Sequence, residues 1–572
     1  MDSVFANSVK KAILVLGLIA GPLICLVAPA SGLSCSITVD GTTIGNRIQL
    51  QAAMDTAESN CPGSSDTVTI DVAANLALDG TALVWDGQAS LTIDGSVSGA
   101  TITALDMSTV FSFLSGAGSV LIKDLIITDA VYSAIRSNAT ELTIQDSTIK
   151  ESVNIGDYGG AVYVLSGNLV IERSVFTENI ADYGGAVATI NSSGTTNISD
   201  SSFSTNQGGS GGAVYVESNS TEIESTQFSG NVGIAGGALY SDAANLFISE
   251  SQFEDQTAAF YGGAAYIDNS GSVDIFTSKI SRNISGSHGG AIYLASAASF
   301  TIGQSELSYN EAEDGDGGAI WNSNESILAL NNTITGNRAV NGGGIYLFLG
   351  QINSLFNTIF DNTASGLGNN LGLVTSSAIL NGTVVGLPLT RASEDNCNAV
   401  SSSLESVDSA VTLHADGTAD HSCGSLVTGM TAAQMDLDDL GADGNPLTYV
   451  HSMMPNTGSL LIGAVPESST ALALLGVGAT DQRGEFRTGA TTIGAIHVST
   501  TPVTTTSTTT TTTVTTTTST VVQSTTSLAV TTTSGGATLP PTGAAETLRT
   551  SVALALLTLG LALIVLLRRR SI

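Results

Sequence analysis

From about residue 66 to residue 395 the chain is written in short apolar runs broken by small and polar residues. Segments such as AVYV (161–164), LVIERSVF (169–176), TEIESTQF (221–228), NLFISESQF (245–253) and SVDIFTSKI (272–280) are rich in β-branched and aromatic residues. They alternate in places with period two, the signature of half-buried strands. No window between them sustains the 3.6-residue apolar period of a helix. The strands recur inside a longer phrase, of which GGAVYVESNSTEIESTQFSGN (211–231) is one copy. Its glycine pair begins at Gly159, Gly184, Gly211, Gly236, Gly262, Gly289, Gly317 and Gly342, in steps of 25 to 28 residues. A second series, an apolar residue followed three positions later by an amide, runs in step with the first: Asn179, Asn206, Asn231, Gln256, Asn283, Asn310, Asn337 and Asn362.

Repetition at this period means stacked units, each unable to bury its apolar face alone. Short strands, three to a turn with glycine or asparagine at the corners, predict an all-β chain folded as a right-handed parallel β-helix of about 26 residues per coil. Residues 66–395 hold about 13 such coils, roughly 60 Å of stack at about 4.8 Å per coil. The glycine pair suits a corner that needs positive φ or close approach between coils. The eight amides are expected to form a structural ladder, each bonding backbone groups and its copies in adjacent coils. Four cysteines beyond the N-terminal segment fall at 35, 61, 397 and 423, two intervals of equal length. A disulfide closing one coil at each end, Cys35–Cys61 and Cys397–Cys423, would explain both intervals.

The ends of the chain read differently from its middle. Residues 1–32 carry Lys10 and Lys11, an apolar run and then small residues, which predicts a secretory signal peptide. At the other end, LPPTG (Leu539, Pro540, Pro541, Thr542, Gly543), an apolar segment over 551–567 and Arg568–Arg570 resemble a sortase sorting signal. That resemblance implies cleavage after Thr542 by sortase, covalent transfer to peptidoglycan, and a transient membrane intermediate held by the C-terminal helix. It implies an extracellular location in the wall of a Gram-positive-type bacterium. Residues 499–538 are almost pure threonine with serine and valine, which predicts a disordered stalk.

The GGA[VIL]Y and FxxN phrases, over roughly 155–365, resemble the repeats of polymorphic outer-membrane passenger domains. The flanks, NRIQLQAAMDTAESNCPGSSDTVTID and LGADGNPLTYVHSMMPNTGSLLIGA with TDQRGEFRTGATTIGA, are similar to those of secreted bacterial β-helix proteins with an anchor-associated C-terminal module. The resulting division is an N-terminal cap (33–65), coils (66–395), a C-terminal cap module (396–498), the stalk and the sorting signal (539–572).

Charge narrows the partners. The chain has 17 Lys and Arg against 50 Asp and Glu, a net charge of −33. Without the two end signals 11 basic residues face 48 acidic ones, a balance that excludes nucleic acid and disfavours anionic polymers. Lys123, Arg136, Lys150, Arg173, Lys279, Arg282 and Arg338 are spread over the repeats with no cluster to serve a polysaccharide lyase. EAEDGDGG (Glu311, Glu313, Asp314, Asp316) is the richest acidic group; Asp314 and Asp316 are candidate calcium ligands and the only cofactor chemistry the repeats suggest. His288 reads as a turn residue before a glycine pair. Asp436, Asp438, Asp439 and Asp443 resemble part of a calcium loop that lacks its final Glu. Asp481 and Arg483 are expected to pair in the last coil. No nucleophile, base and orienting group come together. The expected function is a non-catalytic, wall-anchored rod for adhesion or for binding a carbohydrate or host-surface ligand. The alternative is a wall-tethered lyase or glycoside hydrolase of β-helix type.

Overall fold

The computed structural model describes residues 24–27, 34–39 and 47–498, apart from 97–98, 105–108, 392–393, 413–419, 424–427, 442–449, 467–468, 476–479 and 488–489. The sorting signal, its apolar segment and the threonine-rich stretch lie outside the described residues. Among the described residues no helix is long and apolar enough to cross a membrane.

Each coil contributes one strand to each of three sheets. In one coil these are Asn168–Glu172, Val175–Thr177 and Val187–Thr189. Stacking them gives a parallel β-helix of about 13 turns with about 26 residues per coil, as the repeat predicts. The first, second and third sheets hold 16, 15 and 13 strands, and neighbouring coils pair in parallel. The exception is Ile24–Val27, inside the segment read as an export signal, which runs antiparallel to Ser34–Val39. In several coils a short extra strand such as Ile180–Tyr183 lies between the second and third sheets.

The core follows from strand alternation. In Asn168–Glu172 only Leu169 and Ile171 point inward, and in Val175–Thr177 only Phe176 does. Identical inward positions stack from coil to coil. Phe176, Phe203, Phe228 and Phe253 are buried with ring centroids 4.5–5.0 Å apart. Each such ring contributes about 2–3 kcal/mol by leaving water.

The two glycines of each pair divide the work expected of them. The first, from Gly159 to Gly342, has φ between +57° and +73°. At the second, the added Cβ of Gly212 would sit 1.9 Å from the Gly237 carbonyl oxygen one coil on. The other corners depart from expectation, because non-glycine residues take the left-handed conformation there: Asp146, Arg173 and Asp200 at one corner, Glu178, Thr205 and Asp255 at the next. That conformation costs about 1–2 kcal/mol for a residue with a Cβ, and polar ladders immediately after it offset the cost.

The amide ladder is one of these. Asn206 Oδ1 accepts from both the backbone N–H and the Nδ2 of Asn179, each at 3.0 Å, and Asn179 Nδ2 also donates to the Ile149 carbonyl. The same set repeats through Asn231, Asn283, Asn310, Asn337 and Asn362. Gln256 accepts as the asparagines do, but its longer side chain turns back to donate to the Glu254 carbonyl. The ladder continues beyond the predicted series through Asn370 and Asn396 to Asp420. A second ladder runs along the other corner, where Ser174, Ser201, Thr226, Ser251 and Ser278 hydroxyls each accept from the backbone N–H one coil earlier.

Helix α1 (Arg47–Asn60) covers the first coil with Leu50, Ala53, Met54 and Ala57. Its Gln51 amide bonds both the N–H and the C=O of Val84, satisfying the edge of the first strand of the third sheet. At the other end Cys397 and Cys423 are disulfide-bonded, as predicted. Cys61 is buried and disulfide-bonded, while the side chain of its predicted partner Cys35 lies outside the described residues. Cys397–Val400, Ser403–Val407 and Ala410–Thr412 complete one more coil beyond residue 395. The chain then returns along the side of the stack. Gln304 and Asn331 donate to the Asp481 and Thr480 carbonyls, and Arg487, buried over the Phe356 ring at 4.3 Å, donates to Asn331 Oδ1 and to the Gly494 and Ala495 carbonyls. The expected Asp481–Arg483 pair forms at 2.9 Å, but in this returning segment rather than in a coil.

Candidate ligand-binding face

In the third-sheet strands from Val162–Val164 onward the second residue faces away from the core, covered at Tyr163, Ala188 and Tyr215 and half-buried from Tyr240 to Tyr346. In successive coils it is Tyr163, Ala188, Tyr215, Tyr240, Tyr266, Tyr293, Trp321 and Tyr346, all paired in register. From Tyr215 to Trp321 the rings stack face to face with centroids 4.3–5.2 Å apart. Arg136 extends the row at its start, over the Tyr163 ring at 5.0 Å. Coil stacking brings like residues to the inter-coil distance, so one outward tyrosine per repeat becomes a continuous aromatic row.

A second row lies beside it, at the residue preceding each glycine pair: Tyr158, Tyr183, Ser210, Ala235, Tyr261 and His288, again in register. Tyr183 stacks on Tyr158 at 4.5 Å and meets Tyr215 edge-on. His288 is more than the turn residue the sequence suggests. Its ring lies between Tyr261 and Trp321, at 6.2 and 5.4 Å, and its Nδ1 accepts from the Asp316 N–H. Burial holds its pKa below the usual histidine value, and the accepting Nδ1 identifies the neutral ring.

On the far side of the aromatic row stands a third line, two residues after each tyrosine: Glu217, Asp242 and Asp268 in three successive coils. Glu217 accepts from the Tyr215 hydroxyl at 2.5 Å. Burial, then the Asp268 and Glu217 charges, raise the Asp242 carboxyl. Burial, with Glu217, pushes the Tyr215 hydroxyl up, and burial pushes Tyr293 up to about 12. Among the described residues none of these three carboxylates has a Lys or Arg partner. Elsewhere on the stack most bases other than Arg136 pair with acids, commonly one coil away: Lys123 with Asp94, Arg173 with Asp146, Lys279 with Glu254, Arg282 with Asp255 and Arg338 with Glu311.

Asp314 is exposed, and the Asp316 carboxylate is engaged by Asn341 Nδ2 at 2.8 Å. Among the described residues no three His, Cys, Asp or Glu side chains converge as metal ligands, at Asp314 and Asp316 or elsewhere. A shallow open groove of about 470 Å³ lies at the last coils by Leu349, Ser376 and Ser402, with neither a charge nor a ring in its lining to select a ligand.

No protein-family model matches the chain, and no curated protein or solved structure matches it. The site rests on its own geometry. Sequence reasoning missed it because it counted the tyrosine of the GGA[VIL]Y phrase only as part of a strand. The available signal was the outward parity of one aromatic in nearly every repeat, with an acid two positions later in three of them.

Proposed function

We propose that the protein is a cell-surface rod whose third sheet binds an extended glycan, without cleaving it, as an adhesin does. The observation that carries this reading is the outward aromatic row from Tyr215 to Trp321. Tyr215 is buried in this row, but the half-buried Tyr240, Tyr266, Tyr293 and Trp321 present flat apolar edges and hydroxyl or indole N–H groups along one face, a surface suited to a sugar chain. Export through residues 1–32 and covalent wall attachment at Thr542 belong to the same proposal, supported by the signal-like N-terminus and by Leu539–Gly543 followed by an apolar run and three arginines. Retention of the full-length chain on immobilised wall and host polysaccharides, scored together with reducing-end and unsaturated products, tests it. Saturable retention without products, lost in Tyr240→Ala, is expected. Product release would instead establish the lyase or hydrolase reading, and no retention would leave only a coat role.

A further inference from the structure

The second aromatic row has a gap. Tyr183, Ser210, Ala235 and Tyr261 are consecutive in register, so two small side chains separate two rings across three coil spacings, about 14 Å. Tyr183 stacks one face on Tyr158 and Tyr261 stacks one face toward His288. The gap over Ser210 and Ala235 therefore lies between these two tyrosines, and Tyr215 meets Tyr183 edge-on at 5.4 Å. Both tyrosines are more than one-third exposed, and Ile234 adds an exposed apolar side chain beside the gap. Tyr215 and Tyr240 form its inner side, and Glu217, Asp242 and Asp268 stand beyond them with no basic partner among the described residues.

Resting on the glycan-binding reading, we infer that this notch binds an amino-sugar oligosaccharide whose amines are free, with positive groups against the carboxylate line and ring faces of the sugar against Tyr183 and Tyr261. Charge selects the amine: three carboxylates with no basic partner among the described residues, close to a row of aromatic rings, favour a cation over a neutral or acidic ligand, and the rings add their own attraction for it. Ring shape selects the sugar. The flat C–H face of a pyranose can lie against the ring of Tyr183 or Tyr261, which the flexible stem of a lysine side chain does not match.

The test uses the full-length chain and three probes of equal length, a β-1,4-linked glucosamine hexamer, its fully N-acetylated counterpart and hexalysine, titrated calorimetrically at low and moderate salt. The glucosamine hexamer is expected to bind about tenfold tighter than the acetylated one, with the advantage shrinking as salt rises. The combined Glu217→Gln, Asp242→Asn, Asp268→Asn variant should erase the advantage. Ala235→Tyr, which places in the gap the residue its neighbours already carry, should abolish binding while circular dichroism stays unchanged. Equal affinity for the two sugars, an advantage that survives the amide variant, or hexalysine binding as tightly as glucosamine would overturn the inference. Retention on other polysaccharides together with any of these results would overturn it and leave the glycan-binding reading standing.

Discussion

An amide in the ladder serves three buried backbone or side-chain groups at once, so its length matters as much as its polarity. Gln256 accepts from Asn231 but spends its Nε2 on the Glu254 carbonyl, leaving Asn283 Oδ1 with one donor fewer than its counterparts in other coils. Gln256→Asn should restore the missing bond and stabilise the protein by about 0.5–1 kcal/mol in urea unfolding. Asn283→Ala should cost about 2–4 kcal/mol, because it strands the Phe253 carbonyl and the Gln256 N–H in the core. His288 gives a pH test. Its folded pKa lies below the usual histidine value, so its contribution is complete above about pH 6.5 and is lost as pH falls below that. Trp321 fluorescence, read beside the stacked His288 ring, should change with a midpoint below 6.5, and His288→Asn should remove the transition.

At the scale of elements, backbone proximity dictates which substitutions a coil tolerates. Gly212→Ala would place its Cβ 1.9 Å from the Gly237 carbonyl, and no side chain can move aside there. It should destabilise by more than about 3 kcal/mol or block folding, whereas an alanine at exposed Ser193 should change urea unfolding by under about 0.5 kcal/mol. The strands, the coil length, the glycine corners and the amide ladder were legible in the sequence because each repeats with the period, and repetition exposes what a single copy hides. Helix α1 was not, since two of its four buried positions are alanines and its apolar face is narrow. The serine ladder escaped notice because Ser174 or Ser251 in a turn looks like ordinary turn chemistry. The returning C-terminal segment was invisible because its contacts, such as Thr333 with Gln482, join residues 149 positions apart that no local pattern links.

The described part of the molecule joins a stack of coils to a segment laid along it, and one buried carboxyl sits at that seam. Glu306 accepts from the His451 N–H and the Ser308 hydroxyl, with the Lys279 charge also acting on it and the His451 ring at 3.5 Å. Burial outweighs these partners and raises its pKa. The folded protein thus holds this proton more tightly than the unfolded chain, and docking should weaken as pH rises from the ordinary carboxylate range toward the raised value. Hydrogen exchange at 480–487 should show that trend, and Glu306→Gln should flatten it. The central claim concerns one face of the stack, and hydroxyl-radical footprinting of the full-length chain with a mixed wall-polysaccharide fraction tests it most directly. The account predicts protection at Tyr240, Tyr266, Tyr293 and Trp321, with Phe247 and Phe276 on the outer first sheet as reactive as before. Equal protection at Phe247 and Phe276, or no protection on the third sheet, would contradict it.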